Sequence, residues 1–153
     1  MNAIVYDQIK RLAKLQYELD IQPAFMAFMS TDTVPVSSKT KIVFPDVRLN
    51  VDGYYNESTG FFKARVAGTY HFALTLSNID SSYPAYSAAI VRNDGEIIQS
   101  VAYFGKDIIH MRTITALVRL FADATVWIRS GTSRMKLAPG KYSFSSGFLV
   151  HRL

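Results

Sequence analysis

The histidines of this chain are its first candidates for chemistry, because imidazole titrates near neutral pH and binds metal ions. The sequence has three of them, His71, His110 and His151, and they are far apart along the chain. None lies in a His-Glu-x-x-His motif, and the sequence has neither a nucleophile elbow nor a glycine-rich phosphate loop. Two carboxylates that meet in space could still hydrolyse a glycosidic bond, and sequence alone does not reveal such a pair. We therefore predict a protein that is not an enzyme and requires no cofactor, with His71 on a strand face.

Aromatic and basic residues in predicted loops suggest binding instead. Aromatic rings stack on sugar rings, and a basic side chain holds a carboxylate or phosphate by charge-assisted hydrogen bonds. Arg suits the carboxylate of sialic acid because its planar fork is bidentate. One group combines three tyrosines with a lysine: Tyr83, Tyr86, Tyr103 and Lys106. A second group, which we favour for acidic glycans, flanks a loop rich in small residues: Arg129, Arg134 and Lys136. The alternative for each tyrosine is half-buried packing at a strand end.

Composition and charge narrow the class of partner. The 153 residues are 49% hydrophobic and 19% charged, which is typical of one folded domain with a well-formed core. Net charge is +5, and a basic surface favours anionic partners. The basic residues are scattered singly and form no recognised reading helix, so we predict no nucleic-acid partner. No apolar run approaches the roughly 20 residues that cross a bilayer, so we predict no membrane insertion.

The cysteine content leaves the compartment open. The chain has no Cys, which excludes disulfides and thiolate metal sites but does not argue against secretion at this length. Asn56-Glu57-Ser58 is a glycosylation sequon in a predicted exposed loop, so Asn56 is a candidate glycosylation site, with a simple polar turn as the alternative. The N-terminus has no basic segment followed by an apolar signal core, so we expect a mature form from which a leader has been removed.

Residues near the N-terminus predict one helix. Val5, Ile9, Leu12, Gln16 and Leu19 follow alternating steps of four and three, which is the seam of a coiled coil. Two heptads are marginal alone, so such a seam needs copies of itself or a β domain to cover it. We predict an oligomerising stalk at residues 1–22. The alternative is a helix packed on its own β domain.

Beyond Pro23 the pattern is that of strands. Alternating apolar residues and turn formers predict ten of them: Ala24 to Ser30, Ile42 to Phe44, Val47 to Val51, Phe61 to Val66, Thr69 to Ser77, Tyr86 to Arg92, Glu96 to Tyr103, His110 to Leu120, Thr125 to Ser130 and Tyr142 to His151. Asn93-Asp94-Gly95 predicts a tight hairpin, and Gly60 and Gly68 are candidates for positive φ. Four aromatic residues at the apolar phase of these strands are predicted core residues: Phe62, Tyr70, Phe72 and Phe148.

Spaced residues between 44 and 74 carry a family resemblance. The positions concerned are Phe44, Asn50, Tyr55, Phe62, Gly68, Tyr70 and Phe72. Their spacing resembles the signature of the globular head of complement C1q, departing from it only at Leu74, where the signature has Phe or Tyr. Further segments resemble the family in the same order along the chain: Pro23-Ala24-Phe25-Met26-Ala27, Arg92-Asn93-Asp94-Gly95, Leu117-Val118-Arg119-Leu120, Val126-Trp127-Ile128 and Phe144-Ser145-Ser146-Gly147-Phe148-Leu149.

The resemblance implies a fold and a function. The fold would be all-β: a two-sheet jelly-roll sandwich related to tumour necrosis factor, over residues 23–153, that assembles as a homotrimer with gathered N-termini. The collagen-like Gly-X-Y segment of classical members is absent, which leaves recognition as the function. Stand-alone domains of this kind are typical of invertebrates, especially molluscs. We expect a secreted, extracellular lectin of innate immunity that binds microbial or acidic glycans. The alternatives are a receptor-binding ligand of the cerebellin or adiponectin type, and an extracellular matrix protein.

The resemblance also raises calcium. Some members hold calcium near the trimer axis with an Asp from the loop before the strand that corresponds to His110 to Leu120. Asp107 is the one carboxylate of that loop and is therefore a candidate calcium ligand. One carboxylate is few for a cation that takes six to eight oxygens, although three copies and backbone carbonyls would supply more.

Overall fold

The computed structural model describes residues 2–30, 34–78, 86–103, 110–131 and 135–153. Its elements are, in chain order, α1 (Ala3–Asp20), β1 (Ala24–Phe28), β2 (Val34–Val36), β3 (Lys41–Ile42), β4 (Asp46–Val51), β5 (Phe62–Lys63), β6 (Gly68–Asn78), β7 (Tyr86–Arg92), β8 (Glu96–Tyr103), β9 (His110–Leu120), β10 (Thr125–Ser130), β11 (Met135–Leu137), a 3-10 turn (Gly140–Tyr142) and β12 (Phe144–Arg152). Among the described residues, no helix is both long and apolar enough to cross a membrane.

The strands form two antiparallel sheets. The first sheet has the order β2-β11-β6-β12-β1-β4, and β9 pairs with β6 along its whole length. The second sheet has the order β3-β10-β7-β8, and β5 pairs with β10. Inward side chains of both sheets form one core, which confirms the predicted all-β sandwich of two sheets.

Aromatic rings fill the centre of the core. The ring of Phe62 lies 5.5 Å from that of Tyr70 and 5.3 Å from that of Phe72, between ring centroids. These three residues are at most 2% exposed, as predicted. Phe148 is 46% exposed, so its prediction as a core residue is wrong. The inward position of β12 belongs to Gly147 instead, because a Cβ there would lie 2.5 Å from the ring of Phe72.

Turns agree with their sequence signals in most places. Asn93 to Gly95 join β7 and β8 as a hairpin, and both Asn93 and Gly95 have positive φ, as predicted. Gly60 also has a positive φ, of 76°. Gly68 does not have one, so that prediction is wrong. Gly68 begins β6 and packs closely against the backbone of β12. A Cβ on Gly68 would clash with the carbonyl oxygen of His151, so the position requires glycine.

Two short strands escaped prediction, and three predicted strands are shorter than expected: β1 ends at Phe28 and not Ser30, β3 covers Lys41–Ile42 and not Ile42 to Phe44, and β5 has two residues. β2 and β11 have three residues each, too few to show a period of two. β2 also contains Pro35, which a strand tolerates at a sheet edge. The predicted strand from Phe61 to Val66 is reduced to the two residues of β5, which pair with the end of β10.

The helix is exposed throughout. The side chain of Asn2 caps it by accepting a hydrogen bond from the Val5 amide at 2.9 Å. No residue of α1 is buried, and Leu12 is 65% exposed. Near the last turn, the Nε of Arg152 donates to the carbonyl oxygen of Glu18 at 2.8 Å. The seam is therefore uncovered in the single chain, and the division into a stalk at 1–22 and a domain at 23–153 stays a prediction.

Candidate binding surfaces

The favoured basic group is divided between the two sheets. Arg129 lies in β10 of the second sheet, where its guanidinium carbon is 5.9 Å from the centre of the Trp127 ring. Lys136 lies in β11 of the first sheet. Arg134 lies outside the described residues. Arg129 and Lys136 thus stand in different sheets, and their joint role in glycan binding stays a prediction.

The tyrosine group is mostly a packing cluster in its described part. Tyr86 is 1% exposed and offers almost no surface to a ligand; its ring packs on one side against those of Tyr103 and His110, at centroid distances of 6.1 and 5.0 Å. Burial raises the pKa of Tyr86 to about 12. Tyr103 is half-buried, with the guanidinium of Arg112 at 5.2 Å from its ring, and stays a candidate for ligand contact. Tyr83 and Lys106 lie outside the described residues.

The other site predictions concern a metal and a modification. Asp107 lies outside the described residues, and within the part of the chain that the structure covers, His, Asp and Glu form no cluster of three that could hold a metal ion. Calcium binding therefore stays a prediction. Asn56 is exposed, and its Oδ1 accepts hydrogen bonds from the amides of Ser58 and Thr59 at 2.8 and 3.1 Å. This is the polar turn that was the alternative reading, and glycosylation of Asn56 also stays a prediction.

Sequence reasoning missed an apolar surface on the outer face of the first sheet. We name it the apolar row: four apolar residues and one histidine that are successive cross-strand partners on β4, β1, β12, β6 and β9, namely Val51, Ala24, Phe148, His71 and Leu117. Phe148 is 46% exposed and Leu117 67% exposed. The signal for it is the alternation at the end of β12, where apolar Phe148 and Val150 interleave with buried Leu149. A strand that is apolar on both faces is typical of one that is covered on both.

Two long strand edges lie beside this face. β8 and β9 each pair with one strand of their own sheet, and in the described part of the chain neither has a second neighbour. The two edges approach each other where the Nε2 of Gln99 donates to the carbonyl oxygen of Thr115 at 3.5 Å. Met111 on β9 is 52% exposed. Long open edges with exposed apolar side chains are normally covered, because they otherwise template aggregation.

Comparison with known proteins places this architecture. The chain is 24% identical over 131 residues to complement C1q tumor necrosis factor-related protein 3 of Mus musculus, which covers 86% of the chain and 52% of that protein. It is 31% identical over 134 residues to complement C1q tumor necrosis factor-related protein 5 of Rattus norvegicus, covering 84% of the chain and 53% of that protein. The chain thus spans about half the length of these two curated relatives.

Solved structures share the fold. The globular domain of the zebrafish complement 1qA protein superposes with a TM-score of 0.71 at 20% identity, covering 86% of this chain and 99% of that domain. The Eiger TNF of S. frugiperda superposes with a TM-score of 0.66 at 15% identity, covering 87% and 94% respectively. These likenesses confirm the predicted jelly roll of the C1q and TNF type. A model of the C1q domain matches residues 24–150, and the chain therefore belongs to the C1q domain family.

Proposed function

We propose that the protein is a secreted homotrimer whose C1q domains bind acidic or microbial glycans through repeated weak contacts. The observation that carries the proposal is that one chain has two uncovered surfaces: the apolar row and the open strand edges of β8 and β9. The two surfaces are different, so contact between copies is head-to-tail, and a head-to-tail contact closes into a ring when its rotation permits. Three copies would cover every row and every edge at once.

The helix supports the same assembly. Its seam residues are exposed, with Ile9 at 48% and Leu19 at 61%, and a parallel bundle of three helices would cover them. Gln16 lies in this seam and donates through Nε2 to the carboxylate of Asp20 at 3.1 Å, so the seam has one polar layer. A trimer that gathers its N-termini would place the three seams side by side.

Recognition follows from the assembly. Three identical sites on one rigid trimer bind a repetitive surface with an avidity that exceeds the affinity of one site by orders of magnitude. The net charge of +5 favours acidic glycans among repetitive ligands. We infer a binding role and not a catalytic one, because the chain belongs to the C1q domain family and its sequence has neither a His-Glu-x-x-His motif nor a nucleophile elbow.

A second function is favoured by the sequence matches. The C1q tumor necrosis factor-related proteins are among the curated relatives, so the same trimer could engage a protein receptor, as expected for a ligand of the cerebellin or adiponectin type. A matrix protein would use the same assembly structurally. A glycan array separates these functions, because only the first requires a glycan to bind with selectivity over neutral sugars.

Light scattering at micromolar concentration tests the assembly itself. We expect about three times the chain mass of 17.2 kDa. Deleting residues 1–21 should weaken the trimer without abolishing it, because the row and the edges contribute most of the apolar contact. A monomeric full-length chain would overturn the proposal.

A further inference from the structure

We propose that the outer face of the second sheet, centred on Lys41 and Arg129, binds sulfated polysaccharide. The inference deepens the proposed function and rests on it: it names the site and the anion. Lys41 and Arg129 are directly opposite each other on β3 and β10. Both point outward, because the next residue of β3, Ile42, and the preceding residue of β10, Ile128, are buried.

This arrangement places two cationic residues at directly opposed positions. Directly opposed residues on antiparallel strands have Cβ atoms about 4.5–5.5 Å apart, and like charges in that position are destabilising. A local rule broken without a structural gain points to function. An anion bound between the two cations would be attracted to both of them and would offset their mutual repulsion.

Hydrogen bonds next to the pair fix its register. The amide of Ser130 donates to the carbonyl oxygen of Thr40 at 2.8 Å, and the amide of Thr40 donates to the Oγ of Ser130 at 2.8 Å. The same Oγ lies 2.6 Å from the carbonyl oxygen of Ser37, to which it donates. These bonds attach the segment before β3, at Ser37 and Thr40, to the end of β10 at Ser130. They therefore hold the backbone of Lys41 opposite that of Arg129.

Two aromatic rings position the cations. The Nζ of Lys41 lies 4.3 Å from the centre of the Phe61 ring, and the guanidinium of Arg129 lies 5.9 Å from that of Trp127. The two rings meet edge to face at 6.0 Å. The Nε1 of Trp127 donates to the carbonyl oxygen of Asn93 at 2.9 Å, which fixes the indole. Phe61 and Trp127 are only partly buried, so they offer apolar surface next to the charges.

The cations are also free of acidic partners in the described part of the chain. Other basic residues of the same sheet are neutralised: Lys63 lies 3.8 Å from Asp123, and Arg92 lies 2.6 Å from Glu96. Neither Lys41 nor Arg129 has an ion pair among the described residues. The exposed Lys39, in the turn before β3, adds a third positive charge near the pair.

The shape of the face selects the ligand. The strand pairing continues from Arg129 to Ala89 on β7, which is buried, and to Ser100 on β8, which is exposed, so no large side chain projects from the face at these two positions. An extended polymer can lie across such a surface, whereas a small anion would be largely solvated. Sulfate esters stay ionised, and the apolar faces of pyranose rings can contact the aromatic rings. A sulfated polysaccharide supplies both features in repeats that three copies of the site can share.

The test measures binding of a heparin-derived hexasaccharide by calorimetry at low salt. The hexasaccharide is short, so that avidity does not mask the loss of one contact. The variants are Lys41→Gln, Arg129→Gln and the double substitution, and the matched control is Lys141→Gln, which removes one exposed charge from the 3-10 turn. We expect each single variant to bind about tenfold more weakly and the control within about twofold, because a hydrogen bond to a charged group is lost only at the site.

A second readout uses no ligand titration. Removing either cation should raise the melting temperature of the free protein, since it relieves the opposed charges, while Lys141→Gln should not. Dextran sulfate should raise the melting temperature of the parent protein, uncharged dextran should not, and the double variant should respond to neither.

The outcomes separate this inference from the proposed function. If the parent protein binds the hexasaccharide and Lys41→Gln and Arg129→Gln bind it as well as Lys141→Gln does, the site is wrong while the glycan-binding function stands. Binding of hyaluronan but not of the sulfated hexasaccharide would show that the proposed sulfated ligand is wrong while the glycan-binding function stands. Equal affinity for polyglutamate or for phosphatidylserine vesicles, with the same loss in the variants, would make this a general anion surface and overturn the inference. Absence of any glycan binding would remove both.

Discussion

Phe148→Ala is the most direct test of the assembly surface. The side chain is 46% exposed in the single chain, and a Phe presents roughly 200 Å² in full, so about 90 Å² of apolar surface is open to cover. At about 25 cal/mol per Å², covering that surface stabilises the assembly by about 2 kcal/mol per chain. Three copies of the residue give about 7 kcal/mol for the trimer, or about 10⁵-fold in its dissociation constant.

The measurable quantity is the concentration at which the trimer dissociates. Because three monomers leave one trimer, that midpoint varies with the square root of the dissociation constant, so Phe148→Ala should raise it about 300-fold. Sedimentation velocity over a dilution series measures the midpoint. Tyr142→Ala is the control, since Tyr142 is 55% exposed but lies outside the apolar row. Equal midpoints for the parent and both variants would refute the assignment of the row to the interface.

Further predictions concern the core and its tyrosines. Phe72→Ala should lower the free energy of unfolding by about 3–5 kcal/mol in urea denaturation, because removal of this 2%-exposed ring leaves a cavity. A Phe72→Ala variant as stable as Tyr142→Ala would contradict the core assignment. Burial raises the pKa of Tyr55, Tyr70 and Tyr86 to about 12. The unfolded value is about 10, so the folded state holds more protons, and stability that is complete below pH 10 should fall as pH rises to about 12. Denaturation curves from pH 8 to 12 test this, and unchanged stability over that range would refute it. Tyr55→Phe should reduce the loss of stability at high pH, because it removes one of the titrating hydroxyls. It should also lower the free energy of unfolding at pH 7 by about 1–3 kcal/mol, because the Tyr55 hydroxyl accepts a hydrogen bond from the amide of Phe44 at 3.1 Å and donates one to its carbonyl oxygen at 2.9 Å.

Local signals in the sequence were sufficient for most strands. The predicted bounds of β7 to β10 are those observed, because long alternating runs between turn formers leave little ambiguity. Leu74, the one departure from the family signature, is fully buried as its apolar character predicts. The error at Phe148 has a different origin. Whether Gly147 or Phe148 faces the core depends on the space left by Phe25 and Phe72 on neighbouring strands, and that space is a tertiary property.

The candidate site was harder to predict for the same reason. Arg129 and Lys136 are near in sequence, but their strands join different sheets, and loop proximity does not report this. Lys41 and Arg129 are 88 positions apart, and only strand pairing brings them together. The apolar row likewise consists of residues from five strands. Such surfaces are defined by register between distant strands, which a single sequence does not contain.

The junction between α1 and the domain also decides how the molecule carries a mechanical load. Tension on the helix passes through Ile21 and Pro23 into β1, which lies between β12 and β4 and pairs with each at five positions. A pull along the axis of β1 loads its hydrogen bonds to β12 and β4 in shear. The bonds then share the load and do not break one after another. The bond from Arg152 to the Glu18 carbonyl is a separate tether that would break first. A head held on a repetitive surface could then reorient on its helix under strain before its sheets begin to open.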